Sequence, residues 1–325
     1  VWPDDNHGLF DIPLKVQPPE KKIFEIPLRY RRQAVSTVIE TGPVPSPTTY
    51  VYVKDAEQRV IKFTLDGVFV SQFTSGFSFG GVGAKPDSGL FIYQDEIYVT
   101  DYNNQLVKVF PIAASGSVSP TRQWSPYSGG TGTYFPDGIW VDNGTVYACY
   151  YGGTYQIQLT DVNGNPKGST PQWYIRVGQP NAVSFYNNKV FVSSLYYVIA
   201  FLPNGTFQNY IGGGDITPRP PNFNGAYGTA PFDSNGLLYI PDSIGNYIHV
   251  YNSAGGYIFS WQQGSPLPST MNPYSCAVYE DELFVTDQNN GAVVVFGLDG
   301  SYHRSWQGSD NPNGTLSYPN GIFVA

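Results

Sequence analysis

The chain is short of the residues that carry most chemistry. Its 325 residues include two cysteines, three histidines and one methionine, and only 13% are charged. Two cysteines, Cys149 and Cys276, make no disulfide scaffold. The histidines His7, His249 and His303 lack metal-ligand spacing. No run of about 20 apolar residues occurs, so no membrane span is predicted. A net charge of −8 argues against nucleic acid, whose phosphates call for Lys and Arg. Low charge alone would suit disorder, but the 41% hydrophobic fraction does not.

What the chain has instead is 26 Tyr, 36 Gly and 27 Pro. Tyr suits half-buried pleated surfaces, and Gly and Pro punctuate turns, so the mixture predicts many short strands. Three phrases recur. Pro, usually followed by Asp or Asn, opens an apolar strand at Pro86-Asp87, Pro136-Asp137, Pro180-Asn181, Pro231-Phe232, Pro273-Tyr274 and Pro319-Asn320. An apolar strand ending in Asp then leads through a polar turn to another strand, around Asp55, Asp101, Asp242 and Asp287. Last comes a Gly turn and a strand with an aromatic end, as in Asp66-Gly67 to Phe73 and Asp299-Gly300 to Trp306.

The prolines lie 42 to 51 residues apart. Four short strands at that period are a propeller blade. The ends of the sequence set the count. Ser317 to Val324 is a first strand with nothing after it, and Thr49 to Phe73 holds the other three strands. Joined, they make one blade and hide two sheet edges. The prediction is all-β: a six-bladed β-propeller over 48–325, closed by its C-terminal strand. Its blades are the composite one, 85–124, 134–173, 178–211, 230–262 and 272–306.

The repeat resembles the NHL family of propellers. Pro136-Asp137-Gly138-Ile139-Trp140-Val141 and Pro319-Asn320-Gly321-Ile322-Phe323-Val324 match the first part of its motif. Tyr98-Val99-Thr100-Asp101-Tyr102-Asn103-Asn104 and Phe284-Val285-Thr286-Asp287-Gln288-Asn289-Asn290 match the second. Tyr150-Tyr151 and Ser193-Ser194 depart from it, so those turns need other capping. The family includes protein-binding modules, lyases and hydrolases, so the resemblance implies fold more than function.

The first strands of blades line the central channel. Asp87, Asp137, Asn181 and Asn320 would therefore ring one mouth, where oxygen ligands suit Ca²⁺ or a polar ligand. Resemblance to gluconolactonase-like propellers implies a divalent ion there, but those use a Glu that this ring lacks. NHL-like amidating lyases bind zinc through channel histidines, and His249 and His303 fall on outer strands. The plainer reading is that each Asp or Asn caps its own turn, and the same holds for Asp55, Asp101, Asp242 and Asp287. Gly76-Phe77-Ser78-Phe79-Gly80 fits a nucleophile pattern but precedes no helix. Trp124, Trp173, Trp261 and Trp306 end outer strands, where they would serve inter-blade packing or a carbohydrate surface. Cys149 and Cys276 fall three blades apart and should stay unbridged.

Residues 1–47 form an extended Pro-rich arm that fits no blade. It holds six basic and six acidic residues, so the whole charge surplus lies in 48–325. Phe10-Asp11-Ile12-Pro13-Leu14-Lys15 recurs as Phe24-Glu25-Ile26-Pro27-Leu28-Arg29. Proline biases the residue before it to extended backbone. Exposed Phe, Ile and Leu call for a cover, either the arm's own propeller or a neighbouring copy. Arg29, Arg31 and Arg32 would meet an acidic propeller. A head-to-tail contact that fails to close builds a filament.

Asn143, Asn204 and Asn313 begin Asn-Gly-Thr sequons, and position 1 is Val rather than Met, consistent with a secreted glycoprotein. The expectation is a non-catalytic extracellular assembly module that binds copies of itself through the arm. The alternatives are an NHL-like hydrolase or lyase with a divalent cation at the mouth, and a carbohydrate-binding propeller.

Overall fold

The structure, a computed structural model, describes residues 48–79, 88–125, 134–152, 156–167, 172–174, 179–212, 225–262, 270–308 and 314–325. Asp87, Asn313 and the 1–47 arm, with its Phe10, Ile12, Leu14, Phe24, Ile26, Leu28, Arg29, Arg31 and Arg32, lie outside the described residues.

Six antiparallel sheets stand around an axis as a closed propeller. Blade one orders Gly321–Val324, Tyr50–Asp55, Arg59–Thr64 and Phe69–Thr74. The C-terminal strand closes it in register, with Val51 opposite Val324 and Lys54 opposite Gly321. The paired ends Tyr50 and Ala325 exchange backbone hydrogen bonds at 2.6 and 3.0 Å. Blades two, three, four and six each have four strands, beginning at Leu90–Tyr93, Phe135–Asp142, Pro180–Tyr186 and Pro273–Tyr279.

Two details differ from the repeat as read. Blade five has three strands, Leu237–Asp242, Tyr247–Asn252 and Tyr257–Trp261, and its inner segment is tied by a lone Phe232–Leu238 bridge. Blade one gains a fifth strand, because Gly116–Ser117 of blade two runs parallel to Phe69–Thr74.

Burial explains why the second strands read as unbroken apolar runs. A blade is covered on both faces, so alternation disappears. Six cores result, each shared by two neighbours. Val51, Val53 and Phe63 of blade one pack with Phe284, Val293 and Val295 of blade six, which completes the ring. Tyr147, Ile157 and Leu159 of blade three pack likewise with Val183, Val192 and Ile199 of blade four. Cys149 and Cys276 are buried and free, as expected from their separation.

Near the axis the inner strands abut so closely that side chains are excluded. A Cβ on Gly138 would lie 2.7 Å from the Asn181 carbonyl oxygen, and one on Gly321 would lie 2.8 Å from that of Ser88. Only glycine permits that approach.

Candidate functional site

The glycines identify a ring with one residue from each blade: Asn320, Ser88, Asp137, Asn181, Tyr227 and Tyr274. Asn320, Ser88, Asp137 and Tyr227 each precede a glycine that abuts the next inner strand, and Asn181 and Tyr274 are the residues that Gly138 and Gly228 abut. Asp137, Asn181 and Asn320 of the predicted set are thus brought together. In blade two Ser88 holds the equivalent position, one residue after Asp87. All but the half-buried Tyr227 are buried.

Hydrogen bonds lock most of this ring. The Ser88 N–H donates to Asp137 Oδ1 at 3.2 Å, and Asn181 Nδ2 donates to the Ala226 carbonyl at 3.3 Å. Thr100 Oγ1 donates to the Asp137 carbonyl at 2.8 Å. Tyr227 and Tyr274 stack with ring centroids 5.9 Å apart and planes 2° apart. Asn320 is different: it is 0% exposed, and neither Oδ1 nor Nδ2 finds a hydrogen-bond partner among the described residues. A buried amide left that way costs on the order of 1–3 kcal/mol per unmade group. The ring residues carry one carboxylate, two amides and three hydroxyls. That set is thin for Ca²⁺, which takes roughly 6–8 oxygens. No cluster of three His, Cys, Asp or Glu suited to a metal occurs among the described residues.

Further along the axis the channel turns apolar. A cup of about 170 Å³ is walled by inner-strand residues including Trp140, Phe185, Phe232, Val278 and Phe323. It begins two residues past the ring, at Thr229, Cys276 and Ile322, and runs along the inner strands to Tyr186 and Val324. Sequence reading missed it, although the aromatic late positions of the inner strands (Trp140, Phe185, Phe323) were its signal.

The second-strand aspartates are structural staples. Asp55 accepts the N–H of Glu57 in its own turn at 3.1 Å and that of Ser317, in the loop entering the blade, at 3.2 Å. Asp101 accepts the Ser78 N–H at 2.8 Å, and Asp287 accepts the Asn272 N–H at 3.0 Å. Asp242 accepts the Gly245 N–H at 2.8 Å. A third-strand base completes three of the four: Arg59 lies 3.0 Å from Asp55, Lys108 2.7 Å from Asp101, and His249 Nε2 3.3 Å from Asp242. Burial pushes the Asp55 carboxyl up to about 6, against the pull of Arg59 and the two backbone donors.

The outer tryptophans seal the joints between blades. Trp124 lies over Gly164 of blade three, Trp261 over Gly300 of blade six, and Trp306 over Gly67 of blade one. Beside two of them an arginine does related work, which the sequence reading did not single out. Arg122 forks onto Glu96 at 2.7 and 2.6 Å and donates to the Val162 carbonyl at 3.0 Å. Arg304 holds Glu282 and donates to the Leu65 carbonyl at 3.2 Å. The inter-blade reading of Trp124, Trp261 and Trp306 therefore holds; the side chain of Trp173 lies outside those described.

The remaining candidates offer little reactivity. Ser78 receives Asn103 Nδ2, a donor and not a base, at 3.3 Å, while its neighbours Phe77 and Phe79 stack in the core. Burial pushes both cysteine thiols well up, away from the reactive thiolate. Asn143 and Asn204 stand on exposed turns. Asn143 and Gly144 have φ of 44° and 69°, as a two-residue hairpin turn requires.

No family model matches the sequence, and no curated protein matches it. Solved structures do. One is a nidogen/laminin complex, 15% identical, covering 85% of this chain and 98% of that one with a TM-score of 0.61. Another is a catalytically inactive virginiamycin B lyase from Staphylococcus aureus with quinupristin, 12% identical, covering 87% and 93%, TM-score 0.55. A third is a putative 6-phosphogluconolactonase from Bacteroides fragilis, 14% identical, covering 87% and 86%, TM-score 0.54. The shared property is the fold. The names span protein complexes, a lyase and a lactonase, so the propeller frame fixes no single activity. No helix is long and apolar enough to cross a membrane among the described residues.

Proposed function

We propose that this chain is a non-catalytic extracellular linker: a rigid propeller that joins copies of itself through its N-terminal arm. The observation that carries this reading is how the buried acids are used. Asp55, Asp101, Asp242 and Asp287 are tied to turns and entering loops, and Asp233 holds the Asn235 and Leu237 N–H groups at 2.9 and 2.8 Å. Among the described residues one ring carboxylate, Asp137, remains near the axis, and it takes the Ser88 N–H. The duplicated Phe-acid-Ile-Pro-Leu-base segment supplies the linking element. A solved neighbour that is itself a protein–protein complex is in keeping with such a role. NHL kinship, occupied sequons and a filament belong to the same proposal.

The test is removal of residues 1–32, followed by sedimentation and electron microscopy. The expected product is a folded monomer, and normal assembly of the truncated protein would overturn the reading. A second reading, a lactonase-like hydrolase with Ca²⁺ at the ring, draws on Asp137 and the unsatisfied Asn320 amide. Ca²⁺ that raises the Tm of the wild type and leaves Asp137→Ala unchanged would favour it.

A further inference from the structure

The apolar cup has the size, setting and charge of a socket. At about 170 Å³ it falls short of the roughly 300–1,000 Å³ of small-molecule sites and suits a single large side chain. Its wall is apolar and aromatic, and Trp140, Phe185, Phe232, Val278 and Phe323 are all half-buried. Half-buried aromatics around a concavity mark a place where something apolar is covered.

The described chain enters the propeller at the rim of this cup. Thr49 Oγ1 lies 3.1 Å from the hydroxyl of Tyr279, the residue after Val278. Tyr50, next in the chain, bonds to Ala325 beside the lining residue Val324. The described chain therefore begins at the end of the propeller that carries the cup, and 47 residues precede it in the sequence. The turns joining inner to second strands at this end carry Asp95, Glu280 and Asp281, all exposed, and the half-buried Asp142, against one base, Lys189. The arm follows its second anchor, Phe24 to Leu28, with Arg29, Arg31 and Arg32. An apolar anchor trailed by three arginines is the complement of an apolar cup with an acidic rim.

We propose that the cup receives the Phe-acid-Ile-Pro-Leu-base anchor from the arm of a neighbouring copy. This rests on the linker reading above and names the receiving surface. Each propeller has one axis and one such end to it, whereas each arm carries two anchors, which favours linkage between molecules.

The experiment uses three full-length proteins and sedimentation velocity over a concentration series. Val278→Arg blocks the cup, and a double Phe10→Ser, Phe24→Ser variant disables the anchors. Each is expected to weaken self-association on the order of tenfold or more, with the Tm kept. Val278→Gln serves instead if the arginine unfolds its blade. An equimolar mixture of the two variants should regain one contact, since one supplies the anchor and the other the cup. Assembly of Val278→Arg as strong as wild type, with the anchor variant monomeric, overturns the socket and leaves the linker reading standing. Unaltered assembly of the anchor variant, or a monomeric wild type, overturns both. A mixture that stays monomeric overturns exchange between copies.

Discussion

The indole of Trp306, on the outer strand of blade six, covers Gly67 in a turn of blade one. A Cβ at Gly67 would overlap the ring, and the residue has φ +84°. Gly144 has φ +69° with nothing within 4 Å of a built Cβ. Alanine at Gly144 therefore carries backbone strain alone, about 1–2 kcal/mol. Alanine at Gly67 should add about 1–3 kcal/mol for displacing the indole. Urea unfolding of both variants separates the terms, and equal losses would show that the joint contributes nothing.

Asp55 gives the pH dependence a definite sign. Its carboxyl is raised from 3.8 to about 6 by burial, so between these values the folded state holds a proton that the unfolded state has released. The contribution is complete below about pH 4 and is lost as pH rises through 6, by about 2–3 kcal/mol over that window. Asp55→Asn should lack that slope. Unfolding free energies of wild type minus variant, measured from pH 4 to 7, should fall with pH; a rise would mean that the Arg59 pair dominates.

Closure by Gly321–Val324 predicts a cooperative loss when it is removed. Deleting 317–325 takes four ladder pairings and the Asn320 and Ser317 tethers to Lys54 and Asp55. It also bares the edge of Tyr50–Asp55. The truncated protein should aggregate or unfold without a single sharp transition. A melting curve equal to that of the full chain would show that the ring is held shut by other contacts.

The blade count and closure were legible because apolar strands, turn glycines and two complementary half-blades leave a periodic trace. The ring was legible in part: a proline directly precedes it in blades one, three, four and six, and in blades two and five the following glycine marks it instead. In Pro136-Asp137-Gly138 the two markers agree; in Pro86-Asp87-Ser88-Gly89 the proline sits one residue further back, so the ring position falls on Ser88. In blade five Tyr227-Gly228 marks the ring, and Pro231 lies further along the inner segment. In blades two and five glycine keeps register because a neighbour's backbone fills its Cβ space, whereas proline only shapes the approach. The carbonyls of Leu65 and Val162 were not legible at all. A backbone acceptor has no sequence signature, so Arg304 and Arg122 looked like ordinary surface charge.

The seam of blade one also has a consequence for biosynthesis. Its two halves, Tyr50–Asp55 and Gly321–Val324, are separated by nearly the whole propeller in sequence. At about 5–20 residues per second, the ribosome needs tens of seconds to deliver the second half after the first. Throughout that interval the nascent protein has an open side and an unmatched strand, so its exposure to holdase chaperones is set by the order of synthesis.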